Sequence, residues 1–242
     1  MSCSLQANDV SYGYPQHGYG LPPISLDIGP GEAVHIAGPS GSGKSTLARC
    51  LSGLIPHLYR GHLAGKIRVD ELDTWSTPLW QLAERAGLVF QNPAAQLLTV
   101  RTEAEIVFGL ENLGLPSATI EQRLEDALSR FGLEVLRHRA PQTLSGGEQQ
   151  KLVLSAITAR QPGVLILDEP LSMLDSTAAT QLVANLADLA QSGTTVVVCE
   201  HRAEFLQAIP NLRTVCLNGP APVTQGQSLA AEAGAFDVPR LS

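Results

Sequence analysis

The sequence predicts an α/β fold, a parallel β-sheet covered on both faces by helices. Three observations predict it. Short apolar runs alternate with helix-periodic segments along the chain, the pattern of a parallel sheet. Several of those runs close on glycine-rich or acidic residues, which places the chemistry at the carboxyl ends of strands. One run, at 33–37, leads straight into a Gly/Ser-rich loop at 38–43 and then into a helix.

Residues 1–30 read as short strands and turns. Tyr12, Tyr14, Pro15 and Gly20 punctuate an irregular loop, and 24–28 alternates apolar with polar residues like a half-buried strand. After the turn at Gly29-Pro30-Gly31, the apolar run 33–37 suits a buried parallel strand. The next helix takes in 45–52 and stops at Gly53. Segments 65–69 and 86–90 are further strand patterns. Residues 102–140 are mainly helical, with Ile120, Leu124, Ala127, Leu128 and Phe131 forming a one-face stripe for core packing. A helix over 149–159 precedes a buried strand at 164–167 that ends in Asp168-Glu169. A helix at 177–191, closed by Gly193, leads to another buried strand at 194–199. The end after Asn218, with Pro220, Pro222 and Gly226, reads as turn and loosely packed chain. One domain over 1–242 is expected, with a helical subdomain inserted at about 95–160.

Composition narrows the function. Of 242 residues, 44% are hydrophobic and 16% charged, a globular balance and not a disordered one. A net charge of -7 excludes a global basic footprint, so nucleic acid is not an expected partner. Cys3, Cys50, Cys199 and Cys216 form no C-x-x-C pair, which fits buried or inert thiols in a reducing compartment. No apolar segment precedes Cys3 as in a signal peptide, and no run reaches the roughly 18 residues of a spanning helix. Any work at a membrane then requires a partner that holds the chain there.

Gly38-Pro39-Ser40-Gly41-Ser42-Gly43-Lys44-Ser45 fits the phosphate-binding pattern G-x-x-x-x-G-K-[ST] at every fixed position. Glycines reach positive φ, so backbone N–H groups can turn inward around an anion. The following helix adds its positive end, Lys44 neutralises the terminal phosphates, and the Ser45 hydroxyl can ligate Mg²⁺. The strand 164–167 delivers Asp168 to that Mg²⁺, and Glu169, one residue further, polarises the attacking water. An apolar run ending in Asp-Glu is by itself commonly a strand meeting solvent; the loop gives it meaning. These residues describe a Mg²⁺-dependent nucleotide hydrolase.

A narrower class follows from Leu144-Ser145-Gly146-Gly147-Glu148, which closely resembles the signature motif of ABC ATPases. Chemically it is a second anion site at a helix start, and Ser145 with Glu148 also fits a plain capping box. The resemblance runs from about residue 5 to 217 and implies a P-loop core, an N-terminal antiparallel β subdomain and a helical signature subdomain. It implies ATP as the nucleotide, bound by Gly38–Thr46 with Mg²⁺ on Ser45, Gln91 and Asp168. It gives Tyr14 the role of stacking on adenine, with Tyr12 as rival, makes Asp175 the D-loop acid, and makes His201 the γ-phosphate sensor beside the catalytic Glu169 and Lys44. In this family two ATPase subunits pair, and the signature residues Ser145, Gly146, Gly147 and Glu148 act on the partner's nucleotide.

Residues 88–116, with Phe90-Gln91-Asn92-Pro93 and Phe108-Gly109-Leu110-Glu111-Asn112, look like the energy-coupling-factor branch. That likeness implies import of a vitamin or transition-metal ion, with integral coupling and substrate-binding subunits at the cytoplasmic face of the membrane. Glu148 stands where the family has glutamine and Lys151 where it has arginine, and a heterodimer or tandem half fits the pattern as well as a homodimer. A soluble ABC ATPase is the alternative; the stretch from Ser45 to Thr143 lacks the sustained heptads that repair and chromosome-organising members carry. A non-ABC P-loop kinase or GTPase would leave residues 144–148 unexplained.

Overall fold

The computed structural model describes residues 3–16, 18 and 20–218, so the expected loose end after Asn218 lies outside the described residues. The strands in chain order are β1 (Leu5–Gly13), β2 (Leu21–Ile28), β3 (Ala33–Ala37), β4 (His62–Val69), β5 (Leu72–Asp73), β6 (Ala86–Val89), β7 (Val164–Asp168), β8 (Thr195–Cys199) and β9 (Arg213–Cys216). The α-helices are α1 (Lys44–Leu51), α2 (Leu54–His57), α3 (Leu79–Arg85), α4 (Thr102–Asn112), α5 (Ser117–Phe131), α6 (Gly146–Ala159), α7 (Ser176–Gln191) and α8 (Ala203–Leu206).

Five strands form a parallel sheet in the order β6-β7-β8-β3-β9, and four form an antiparallel sheet in the order β2-β1-β4-β5. The central strands β7 and β8 are mostly apolar because both their faces are covered, whereas edge strand β9 buries none of its residues. Every residue of β7 and β8 is buried. Successive side chains point to opposite faces, and the two faces feed separate cores. Val164, Ile166, Val197 and Cys199 pack with α1 and the antiparallel sheet, through residues such as Leu47, Leu51, Leu5 and Ile28. Leu165, Leu167, Val196 and Val198 pack with the helices, through Ile106, Leu128, Leu152 and Leu186.

The stripe on α5 lies where its periodicity demands: Leu124, Ala127, Leu128 and Phe131 are buried in the helical core, and Ile120 packs partly buried against it. Helix α6 begins three residues earlier than the expected 149, since Gly146 and Gly147 form its first turn behind the Ser145 cap. Tyr12 does not belong to an irregular loop. It lies in β1, pairs with Leu63 of β4, and is buried.

Parallel strands bring their carboxyl ends to one edge of a sheet. The register sets Val89 beside Leu167, Asp168 beside Cys199, and Cys199 beside Ile36. Whatever follows these residues emerges together.

Candidate functional site

At that edge, a cleft of about 530 Å³ is lined by Tyr14, Gly20, Ser40, Gly41, Gly43, Lys44, Ser45, Thr46, Gln91, Glu169 and His201. The loop after β3 wraps one wall. Gly43 precedes α1 at φ 101°, and a Cβ there would come within 2.8 Å of the Gly20 carbonyl oxygen, so the turn admits glycine alone. Lys44 is buried, and its Nζ donates to the carbonyls of Gly38 at 2.9 Å and Pro39 at 3.0 Å. The ammonium is thereby folded over its own loop and faces the cleft. Ser42 is buried behind that wall.

Glu169 brings a carboxylate to the lining, and Asp168 lies buried next to it in the chain. Ser45 Oγ donates to Asp168 Oδ1 at 2.9 Å. Burial pushes the Asp168 carboxyl above the usual range, against the Ser45 hydrogen bond, and neighbouring Glu169 adds to the rise. Desolvation of an anion of this kind is relieved by a cation, and the two hard oxygen donors suit Mg²⁺ completed by phosphate oxygens and water. Among the described residues no three His, Cys, Asp or Glu side chains cluster as a metal cage, so a metal at this place needs ligands from the bound molecule.

Glu169 sits at φ 50°, in the left-handed region, a conformation that costs about 1–3 kcal/mol and persists where surroundings impose it. Three contacts impose it here. Its N–H donates to the Cys199 carbonyl at 2.8 Å, Gln91 Nε2 donates to Oε2 at 2.8 Å, and His201 Nε2 lies 3.2 Å from Oε1. The amide of Gln91 thus donates to Glu169, while the Ser45 hydroxyl and the Asp168 carboxylate stand 2.9 Å apart.

Tyr14, and not Tyr12, reaches the cleft. Arg49 Nη1 donates to its hydroxyl at 2.9 Å, and Thr46 Oγ1 lies 3.3 Å from it. Tyr12 hydrogen-bonds the Arg60 carbonyl at 2.6 Å and meets Tyr14 edge to face at 4.8 Å.

Ser145, Gly146, Gly147 and Glu148 do not line this cleft, nor does Asp175. The Ser145 N–H donates to Glu148 Oε2 at 2.7 Å, and the Glu148 N–H donates to Ser145 Oγ at 3.3 Å, a complete capping box. The Ser145 N–H, and then its hydroxyl, hold the Glu148 carboxyl below the usual range. Asp175 caps α7 by accepting from the Ala178 N–H at 2.8 Å.

Sequence reading missed Arg49, which tethers Tyr14, and Glu200, a buried acid directly before His201. For Glu200 a signal existed: a carboxylate closing a strand whose every residue is apolar or small must be satisfied inside the protein.

Comparison with known proteins agrees with this geometry. The family model described as ABC transporter matches residues 21–172. A relative from Pyrococcus abyssi, described as an ABC transporter ATP-binding protein, is 36% identical over 92% of this chain and 80% of its own length. One from Caldanaerobacter subterraneus with the same description is 41% identical over 75% of this chain. The chain spans only about a third of the length of that relative, 32%. Among solved structures, cbiO1 of Clostridium perfringens, part of the ABC transporter complex cbiONQ, is 29% identical with a TM-score of 0.72, over 84% of this chain and 80% of that one. A bacterial ABC transporter cassette solved as a dimer is 26% identical with a TM-score of 0.75, over 88% and 94%.

Proposed function

The chain belongs to the ABC transporter family, in its ATP-binding ATPase class, and from that membership we propose that it hydrolyses MgATP to energise import of a vitamin or transition-metal ion through an energy-coupling-factor transporter. The observation that carries the hydrolytic reading is the Glu169 carboxylate, held between Gln91 and His201 across the cleft from Lys44.

In this reading the loop amides and Lys44 bind the β- and γ-phosphates, and Tyr14 stacks on adenine. Ser45 and Asp168 hold the magnesium, which when bound neutralises phosphate charge. Glu169 orients a water toward the γ-phosphate and accepts its proton. His201, within hydrogen-bond reach of Glu169, reports whether that phosphate is present.

Two observations support partners. Ser145–Glu148 stand outside their own chain's cleft, as residues do that serve the nucleotide of a second ATPase subunit, and the dimeric bacterial cassette is built on the same fold. A groove of about 420 Å³ carries exposed Trp80, Leu98 and Phe108 at its rim, apolar surface fit for a protein partner. Among the described residues no helix is long and apolar enough to cross a membrane. The likeness to cbiO1, a part of cbiONQ, and the pattern at 88–116 support integral coupling and substrate-binding subunits, with this chain peripheral at the cytoplasmic face.

Purification from native membranes tests the assignment. Integral proteins, among them a small-solute binder, are expected to accompany the chain; recovery of soluble partners alone would favour a non-transport ABC ATPase. Lys44→Ala tests the site itself, with an expected loss of at least about tenfold in MgATP affinity by calorimetry.

A further inference from the structure

His201 and the segment after Glu169 leave different strands, yet one buried side chain joins them. Glu200 follows β8 and is 3% exposed. Its Oε1 accepts the N–H groups of His201 at 2.7 Å and Arg202 at 3.0 Å, while Oε2 accepts the N–H of Leu171 at 3.0 Å. Its own carbonyl accepts from His35 Nε2 of β3 at 2.9 Å. Arg202 repeats the connection from the outer side: Nη1 donates to the carbonyls of Leu171 and Leu174, each at 3.1 Å. Leu171 and Leu174 lie between Glu169 and Asp175.

We propose that Glu200 is a positioning residue for hydrolysis, a clamp that fixes the turn bearing His201 to the segment running from Glu169 to Asp175. The inference rests on the hydrolytic reading of Glu169. A carboxylate with backbone N–H donors on both oxygens makes charge-assisted bonds, the strong class. The bonds are divided between the two segments: one oxygen serves the His201 turn, the other serves Leu171. Neither segment can shift alone without leaving a buried N–H or a carboxylate oxygen unpaired, which carries the full desolvation cost. The 3.2 Å contact between His201 and Glu169 is thereby set from behind, by a side chain that does not line the cleft. A displacement of the Asp175 segment on pairing with a second subunit passes through Leu171 to the His201 turn.

Glu200→Gln separates this role from simple stabilisation. A carboxamide keeps one acceptor and turns an NH₂ group against the other set of donors, so it releases one segment. The expected result is nucleotide affinity within about twofold of wild type and turnover lower by about tenfold. Glu200→Gln added to His201→Ala should then cost little beyond His201→Ala alone, because the two act on one contact. Wild-type turnover in Glu200→Gln, or full additivity in the double variant, overturns the proposal. Should Glu200→Gln fail to fold, Arg202→Gln decides, since this half-exposed side chain gives up its bonds to Leu171 and Leu174 and its stacking on the Phe205 ring while the Glu200 carboxylate stays in place. Turnover reduced about threefold at unchanged affinity supports the clamp, and unchanged turnover refutes it. Hydrolysis surviving in Glu169→Gln would instead sink the reading of Glu169, whatever the Glu200 variants do.

Discussion

His201 Nε2 stands 3.2 Å from Glu169 Oε1, although one follows β8 and the other β7. The pair meets because Asp168 and Cys199 are register partners in adjacent parallel strands, so the residues just beyond them emerge side by side.

That meeting gives the first prediction. Glu169→Gln keeps the hydrogen bond from Gln91 within reach and removes the base. Nucleotide affinity should hold, and single-turnover phosphate release should fall by about a hundredfold or more. His201→Ala should lower turnover with a smaller change in affinity. Hydrolysis at the wild-type rate in Glu169→Gln would take this residue out of the mechanism.

The two tyrosines should separate binding from folding. Tyr14→Ala loses the ring at the cleft, and MgATP affinity should drop by about 1–3 kcal/mol, the usual worth of a base stacked on an aromatic. Tyr14→Phe gives up only the bonds to Arg49 and Thr46 and should bind nearly as well as wild type. Tyr12→Phe should instead lower stability by about 1 kcal/mol, as its buried hydroxyl leaves the Arg60 carbonyl. Calorimetric titration and urea melts on all three variants check this; a binding defect in Tyr12→Phe at full stability would contradict it.

Glu148 should show its cap as a pH effect. The backbone N–H of Ser145, and then its hydroxyl, hold the folded carboxyl below the usual glutamate value of 4.5. A lowered carboxyl contributes stability that is whole above the unfolded value and is lost as pH falls through the folded one. Glu148→Gln keeps an acceptor for the Ser145 N–H and removes the titration. Wild type should exceed it by no more than about 1 kcal/mol at neutral pH, with the gap closing below the ordinary glutamate range. A gap constant across that acid range would show that the carboxylate is not the cap.

Thiol chemistry should single out one cysteine. Cys3, Cys50 and Cys199 are buried, and burial pushes Cys3 up to about 11 and Cys50 up to about 12. Cys216 lies exposed at the end of β9, against the expectation of four inert thiols. Thiolate availability controls the reaction, so maleimide at neutral pH should add once to the native chain and four times after denaturation, as read by intact mass. Native labelling at Cys50 or Cys199 would contradict the packing.

The parallel sheet was legible because burial on both faces leaves a plain apolar run, as in 164–167 and 194–199. The phosphate loop was legible because its chemistry fixes residue types at set spacing. What escaped did so for local reasons. In β1 the alternation breaks where the register shifts after Ala7 and Asp9 adopts φ 49°, so Tyr12 looked like part of a loop. Edge strand β9 buries none of its residues, and α3 buries only Leu82, so neither offered a periodic signal. Sequence order could suggest His201 but not the Glu200 bond to Leu171, a contact that spans 29 positions and needs the strands in place.

Odd and even positions of β7 report to different halves of the molecule. Ile166 looks toward α1, whose first residue is Lys44, whereas Leu167 looks toward the helices that carry Ser145 and the groove edged by Phe108. The strand is a partition wall with two tenants. A smaller side chain at Leu167 would loosen the helical lobe and leave the packing under the phosphate loop tight; the same change at Ile166 would do the reverse. Neighbouring side chains on a single strand can therefore be changed to soften one half of the molecule at a time.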